Sequence, residues 1–380
     1  MLAASNTPPA PAQSRLEFIE TLRGLAALYV LLYHLALIPQ PSLAVPLWAS
    51  SFILSGGTGV TLFFIVSAFT QSLSMRRRSQ EPKPAIRFYI RRVFRIVPLF
   101  YIWIIVSLLR DYYLFGVAHS SAEVMLSAVF AFNFVPFKQE GFVWASWTLS
   151  VEMAFYLLFP LIFYYVNNYK RALALFFGTI LIAQLFYNVL SYTPLTQAER
   201  DAFYQYSFLH QLPNFALGIF IFFVFEEFVQ YATIARDWAL VLIGAAALGY
   251  SALLSGKLQV LFDTLYWQGI LFGALLLGLA IDPLRLVVNK VTRFYGEISY
   301  SVYLNHPTTV FLLIPLYRII YGLALPTTLK YGACLLITLA LLTVLSYATY
   351  RLIERPGINL GNQLIKKLGA RRLAAYSRPL

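Results

Sequence analysis

Apolar residues in this 380-residue chain are gathered into long runs instead of alternating with polar ones. Ten runs lie near 16–38, 52–74, 94–114, 147–167, 172–191, 204–228, 238–255, 260–281, 298–320 and 328–352. Each is about the 17–25 residues a helix needs to cross the hydrocarbon core. A further stretch at 122–137 is shorter and more polar. The pattern predicts an all-α, polytopic membrane helix bundle, because a chain in lipid must satisfy its backbone hydrogen bonds within itself.

Composition sharpens the picture. The chain is 59% hydrophobic and 12% charged, where a soluble domain has about a quarter of its residues charged. A cytosolic enzyme, a disordered chain and a disulfide scaffold are excluded, since Cys334 alone has no internal partner. Four histidines could supply a metal site only sparsely, and no metal-ligand, P-loop or dinucleotide spacing occurs, so no metal is expected. A net charge of +13 would point to nucleic acid in a soluble protein; here it reports topology. If 122–137 does not cross, all but six of the 29 basic residues fall on one face, the six being Arg110, Lys138, Arg200, Lys257, Arg318 and Lys330. The positive-inside rule then gives ten transmembrane helices, both termini cytoplasmic, with 115–146 on or dipping into the outer face.

Residues 1–14 read as a disordered cytoplasmic tail, 15–355 as the membrane domain and 356–380 as a basic cytoplasmic tail, too short for a second domain. That last tail is either an amphipathic helix on the anionic leaflet or simply solvated. The first apolar run carries Glu17, Glu20 and Arg23 without a cleavage site, so insertion without processing is expected.

A charge inside the bilayer costs roughly 2.5–3.5 kcal/mol on insertion scales, which makes each such residue a functional candidate. Arg23 and His34 are eleven residues apart. At about 100° per residue they share a helix face, and at about 1.5 Å rise they are separated by about 16 Å in depth. The plain alternative is a snorkelling Arg and a His braced across the bundle. Glu152, in WASWTLSVEMAFYLLFP, lies at a similar depth to His34 and is expected to orient it, as a carboxylate does for a general base; otherwise it braces the bundle through Ser150. Trp144 and Trp147 suit interfacial anchors. The loop MRRRSQEPKPAIRFYIRRVFRIVP is more basic than orientation requires. Arg92 and Arg95 share a face there, and guanidinium forks suit phosphates, so this is a candidate polyphosphate site, with anionic lipid as the alternative ligand. The Gly-rich GGTGVTLFFIVSAF run suits close helix packing. His306, before Pro307, is a second polar group of the site or a brace; His119 and His210 have no evident partner.

Taken together and in order, these segments resemble the acyltransferase 3 family of integral membrane acyltransferases, common in bacteria. The resemblance runs from about Arg15 to Gly361. It rests on the Arg23 to His34 spacing, GTGVTLFFIVSAF, RRVFRIVP, WTLSVEMAFYLLFP, ISYSVYLNHP and the ERP ending at Pro356. Ala68 and Thr148 depart from the usual Gly and Ser. The resemblance implies transfer of an acyl group, most often acetyl, from acetyl-CoA or another acyl-CoA to a saccharide or glycolipid hydroxyl, in the bacterial inner membrane. It implies His34 as catalytic residue, Arg23 as its essential neighbour, and Arg92 and Arg95 as the donor-binding pair. No appended soluble domain is evident, so the acceptor is expected to meet the membrane domain directly.

The sequence therefore nominates His34, Glu152 and Arg23 for catalysis, Arg91, Arg92 and Arg95 for the donor, and Trp147, Ser150 and His306 for the acceptor. Expected partners are acyl-CoA, the saccharide acceptor and membrane lipid, with no nucleic acid and no permanently bound cofactor. A multi-pass transporter or flippase of a sugar-lipid is the alternative, since intramembrane His, Glu and Arg also suit a translocation path. A receptor or scaffold is a third.

Overall fold

In a computed structural model of the protein, residues 17–228, 232–258, 260 and 263–376 are described; the expected tail at 1–14 lies outside them. The described residues fold into helices and connecting turns. In chain order the α-helices of eight or more residues are α1 (Glu17–Leu37), α2 (Gly59–Arg77), α3 (Pro84–Phe115), α4 (Ser121–Ala128), α5 (Trp147–Tyr165), α6 (Tyr169–Leu190), α7 (Gln197–Tyr206) and α8 (Phe208–Phe228). They are followed by α9 (Ala232–Leu254), α10 (Thr264–Ile281), α11 (Lys290–Glu297), α12 (Ser299–Leu312), α13 (Ile314–Tyr321), α14 (Thr327–Thr349) and α15 (Arg355–Tyr376).

Among the described residues, nine helical stretches are long and apolar enough to cross a membrane. The remaining run, at 298–320, forms two consecutive helices, α12 and α13, that break at Leu313. Pro315 fits the break: it has no N–H to continue the ladder of α12, and it sits in the first turn of α13, where a missing donor costs nothing. Pro307, by contrast, sits inside α12, which continues past it.

The segment at 115–146 contributes no crossing helix. Its short helix α4 is closed by a capping box in which Ser120 accepts from the Glu123 N–H and Glu123 accepts from the Ser120 N–H. Polar contacts then tie it to the end of α3. Asp111 accepts from Arg110 at 2.7 Å and pairs with His119 at 2.9 Å, and the Arg110 guanidinium lies 3.7 Å from the Trp144 ring. Lys138 pairs with Glu123 and, with the Ser120 N–H, holds that carboxyl down at about 2. This anchorage is complete at neutral pH and is lost only as pH falls from about 4.5 toward about 2.

Helix α1 is central. Its backbone is approached closely from two sides, which only glycine permits. A Cβ on Gly296 of α11 would lie 1.9 Å from the Glu20 carbonyl oxygen, and one on Gly59 of α2 would lie 2.6 Å from that of Ala26. The Gly-rich run at 56–59 therefore serves helix packing, as small residues do in lipid. Stacked rings fill the space beyond: Phe64, Phe215 and Phe155 follow one another at centroid spacings of 4.6 and 4.2 Å.

The segment expected to be a free or lipid-lying tail begins instead within the bundle. Helix α14 passes through a wide π-helical turn, Tyr350–Glu354, into α15. Gly357 and Gly361, four apart, lay α15 against Phe94 and Pro98 of α3. This small-xxx-small pair is a packing signal of the kind found between membrane helices.

Gly296→Ala is expected to cost about the 1–3 kcal/mol typical of overpacking. Gly178→Ala, where a Cβ meets nothing within 4 Å, is the control that leaves stability unchanged. Size-exclusion chromatography of heated, detergent-solubilised protein compares the two.

Candidate active site

His34 lies in the last turn of α1, in the wall of a cavity of about 500 Å³. Tyr33, Trp147, Tyr206, Gln211 and Gln268 line it as well. The ring of His34 is fixed from behind. Its Nδ1 is 2.9 Å from Nε2 of His306, whose own Nδ1 is 2.6 Å from the Tyr303 carbonyl oxygen. A carbonyl only accepts, so His306 carries its proton on Nδ1. With that ring neutral, Nε2 is an acceptor, and the bond between the two rings requires Nδ1–H on His34. The bare nitrogen of His34 is then Nε2, the one a general base uses on a substrate proton.

The sequence explains why the Tyr303 carbonyl is free to do this. In a helix it would accept from the N–H of the residue four later, which here is Pro307 and has none. The His-Pro pair thus supplies both the ring and the open acceptor.

Eleven residues earlier on α1, Arg23 lines a separate small cavity together with Arg92, Arg95, Glu152, Tyr156 and Ser67. Glu152 accepts from Ser67 at 2.7 Å and from the Tyr156 hydroxyl. Glu354, fully buried in the wide turn after α14, accepts from Ser301 at 3.2 Å and faces Arg95 at 3.8 Å. Arg92 Nε and Glu354 Oε1 are buried without a hydrogen-bond partner. Three guanidinium groups thus meet two carboxylates, which leaves a positive surplus with unused hydrogen-bonding capacity.

The two cavities are neighbours. Between them lies a void of about 10 Å³ that shares Val60 and Tyr303 with the His34 cavity. It shares Phe63, Glu152 and Tyr300 with the arginine cavity.

Several expectations are corrected. Glu152 is not the partner of His34. Equal depth in the bilayer places two groups at one level but does not set which way each faces, and the face of α5 bearing Glu152 is turned to Ser67 and the arginines. His306 takes the place next to His34 and, being fully buried, braces that ring from behind and is out of reach of an acceptor. Ser150 neither partners Glu152 nor reaches the cavity. Two residues on a helix are about 200° apart, and the Ser150 hydroxyl donates to the Phe130 carbonyl at 2.5 Å. Arg91 is turned away from Arg92 and donates to Glu81 at 3.0 Å. Trp147 does line the His34 cavity, edge-on to Tyr206. His210 also finds a partner: its Nε2 is 2.7 Å from Asp263 in the same cavity wall.

The chain matches the Acyl_transf_3 profile, described as an acyltransferase domain, over residues 16–347. It belongs to the acyltransferase 3 family. As a member it is a membrane acyltransferase, and the likeness read from its motifs extends across nearly the whole chain. Relatives include the putative membrane-bound transacylase BcsY of Komagataeibacter xylinus, 25% identical over 96% of this chain and 91% of its own. The exopolysaccharide production protein ExoZ of Rhizobium meliloti is 26% identical over 84% and 93%. The peptidoglycan O-acetyltransferase OatA of Listeria monocytogenes is 25% identical over 79% of this chain and 50% of its own. No solved structure matches.

Ring-nitrogen NMR of histidine-labelled acyltransferase is expected to report the Nδ1–H tautomer for both His34 and His306. In His306→Phe the His34 signal should shift toward the other tautomer. A wild-type His34 protonated on Nε2 would overturn the assignment.

Proposed function

We propose that this acyltransferase takes an acyl group, most simply acetyl, from cytoplasmic acyl-CoA and transfers it to a saccharide hydroxyl on the other side of the membrane. The observation that carries the reading is the string of cavities from the arginine cluster to His34, threaded past Phe63, Tyr300 and Tyr303. Arg92 and Arg95 take the diphosphate, with the charge surplus that Arg23 adds. The pantetheine arm, on the order of 20 Å, spans the roughly 16 Å between the depths of Arg23 and His34. The thioester then lies beside His34.

The acceptor enters the larger cavity. Its aromatic walls, Tyr33, Trp147 and Tyr206, suit the faces of sugar rings, and Gln205, Gln211 and Gln268 suit hydroxyls. A saccharide acceptor also agrees with the names of ExoZ and OatA. His34 Nε2 removes the hydroxyl proton as the oxygen attacks the thioester carbon. The C–S bond then breaks, and the departing thiolate takes that proton from the imidazolium. His306 holds the ring in place throughout. In the covalent variant, His34 Nε2 attacks the thioester carbon and expels the coenzyme A thiolate; the hydroxyl oxygen then attacks the acyl-imidazole, its proton passing to that thiolate as the C–N bond breaks. The orientation follows the charge asymmetry, with the arginine end and both termini cytoplasmic in the inner membrane of a bacterium.

Acetyl-CoA binding and hydrolysis by the purified protein in detergent test this. Arg92→Ala/Arg95→Ala is expected to lose binding. His34→Ala is expected to keep binding and lose turnover by about 10²–10⁴-fold, the usual contribution of a general base. Unbound acetyl-CoA in the wild type removes the donor, and undiminished turnover in His34→Ala removes the base.

A further inference from the structure

The turn between α2 and α3 gathers a second set of arginines, away from the cavity of Arg23, Arg92 and Arg95. Three guanidinium groups converge on the single carboxylate of Glu81. Arg91 Nη2 lies 3.0 Å and Arg87 Nη1 3.6 Å from one oxygen, and Arg78 Nη1 lies 3.5 Å from the other. The Arg87 and Arg91 side chains are only 16% and 15% exposed, while Glu81 is 27% exposed and therefore within reach of a solute.

One negative charge against three positive ones leaves two uncompensated at a half-buried place. A structural ion pair needs one arginine per carboxylate, and this arrangement holds two more. A phosphomonoester fits the surplus better, since it carries about −1.5 to −2 charges and three acceptor oxygens where a carboxylate has one charge and two. Arginine forks match that geometry. Glu81 lies where the three guanidinium groups meet.

The spacing indicates which phosphate. Arg87 and Arg91 are one turn apart on α3, so they share a face. Their midpoint is about 4.5 residues, or about 7 Å along the axis, from that of Arg92 and Arg95. Two anion sites of different depth on one helix suit a ligand with two separate phosphate groups on one nucleotide. Coenzyme A has a diphosphate and a 3′-phosphomonoester. Resting on the acyl-CoA reading above, we infer that Arg78, Arg87 and Arg91 form the subsite for the 3′-phosphomonoester of the donor, and that Glu81 closes this subsite until the donor displaces it.

Isothermal titration of the detergent-purified protein with coenzyme A and with 3′-dephospho-coenzyme A tests the inference. The wild type is expected to prefer coenzyme A on the order of ten- to a hundredfold, the value of one or two charge-assisted contacts. Glu81→Gln should tighten coenzyme A several-fold and leave the dephospho form unchanged. Arg87→Ala/Arg91→Ala should bring coenzyme A down to the dephospho level. Equal wild-type affinities, or equal losses of both ligands in the arginine variant, overturn the subsite. A phosphate from lipid is the other source. It predicts that phosphatidic acid in phosphatidylcholine nanodiscs raises the melting temperature of the wild type but not of Arg87→Ala/Arg91→Ala, with the two nucleotides indistinguishable, and that result also overturns the assignment. If the wild type binds neither nucleotide, the acyl-CoA reading fails first; if it binds both alike, only the subsite fails.

Discussion

The architecture depends on how closely other helices approach α1. Hydrophobic burial cannot drive helices together in lipid, so close backbone approach and polar contacts must do it. Gly296 and Gly59 bring the backbones of α11 and α2 against that of α1, at Glu20 and Ala26. Both contacts lie on the helix that carries Arg23 and His34. The separation of these two residues is set by helix geometry alone, and the glycine contacts hold that spacer in place within the bundle.

A second economy lies in α12. Proline in a helix usually costs stability, because it removes a donor and strands the carbonyl one turn earlier. Here the stranded carbonyl belongs to Tyr303 and is taken by His306 Nδ1. The defect in one hydrogen-bond ladder becomes the reference that sets the proton positions of two successive imidazoles. The His34 ring is oriented without a carboxylate behind it, which spares the bundle a buried charge there.

How much of this was legible in the sequence varies with the kind of information required. Run lengths placed nine of the ten expected crossings, and 115–146 holds no helix long and apolar enough to cross. They did not show that 298–320 breaks, although Pro315 signals it. Helical periodicity correctly set Arg23 and His34 on one face, because that is a relation within one element. Relations between elements were less accessible: depth along two helices matched Glu152 to His34, yet their azimuths face different neighbours. Ser150 shows the same limit within α5, since a two-residue step turns it away from Glu152. The pairing of His210 with Asp263 joins positions far apart in the chain, and no local pattern announces it. The packing of α15 was signalled by Gly357 and Gly361, but the basic residues after them suggested a surface tail.

Tyr303 belongs to both the wall of the His34 cavity and the narrow void behind it. Its hydroxyl accepts from Thr148 at 3.0 Å while its carbonyl steadies His306. The void it borders measures about 10 Å³, at the threshold of what a single water occupies. The path between the two ends is therefore narrowest beside Tyr303 and Tyr300. One aromatic residue thus sets the width of the constriction with its ring and, through its carbonyl, the proton position of a histidine pair in the wider cavity.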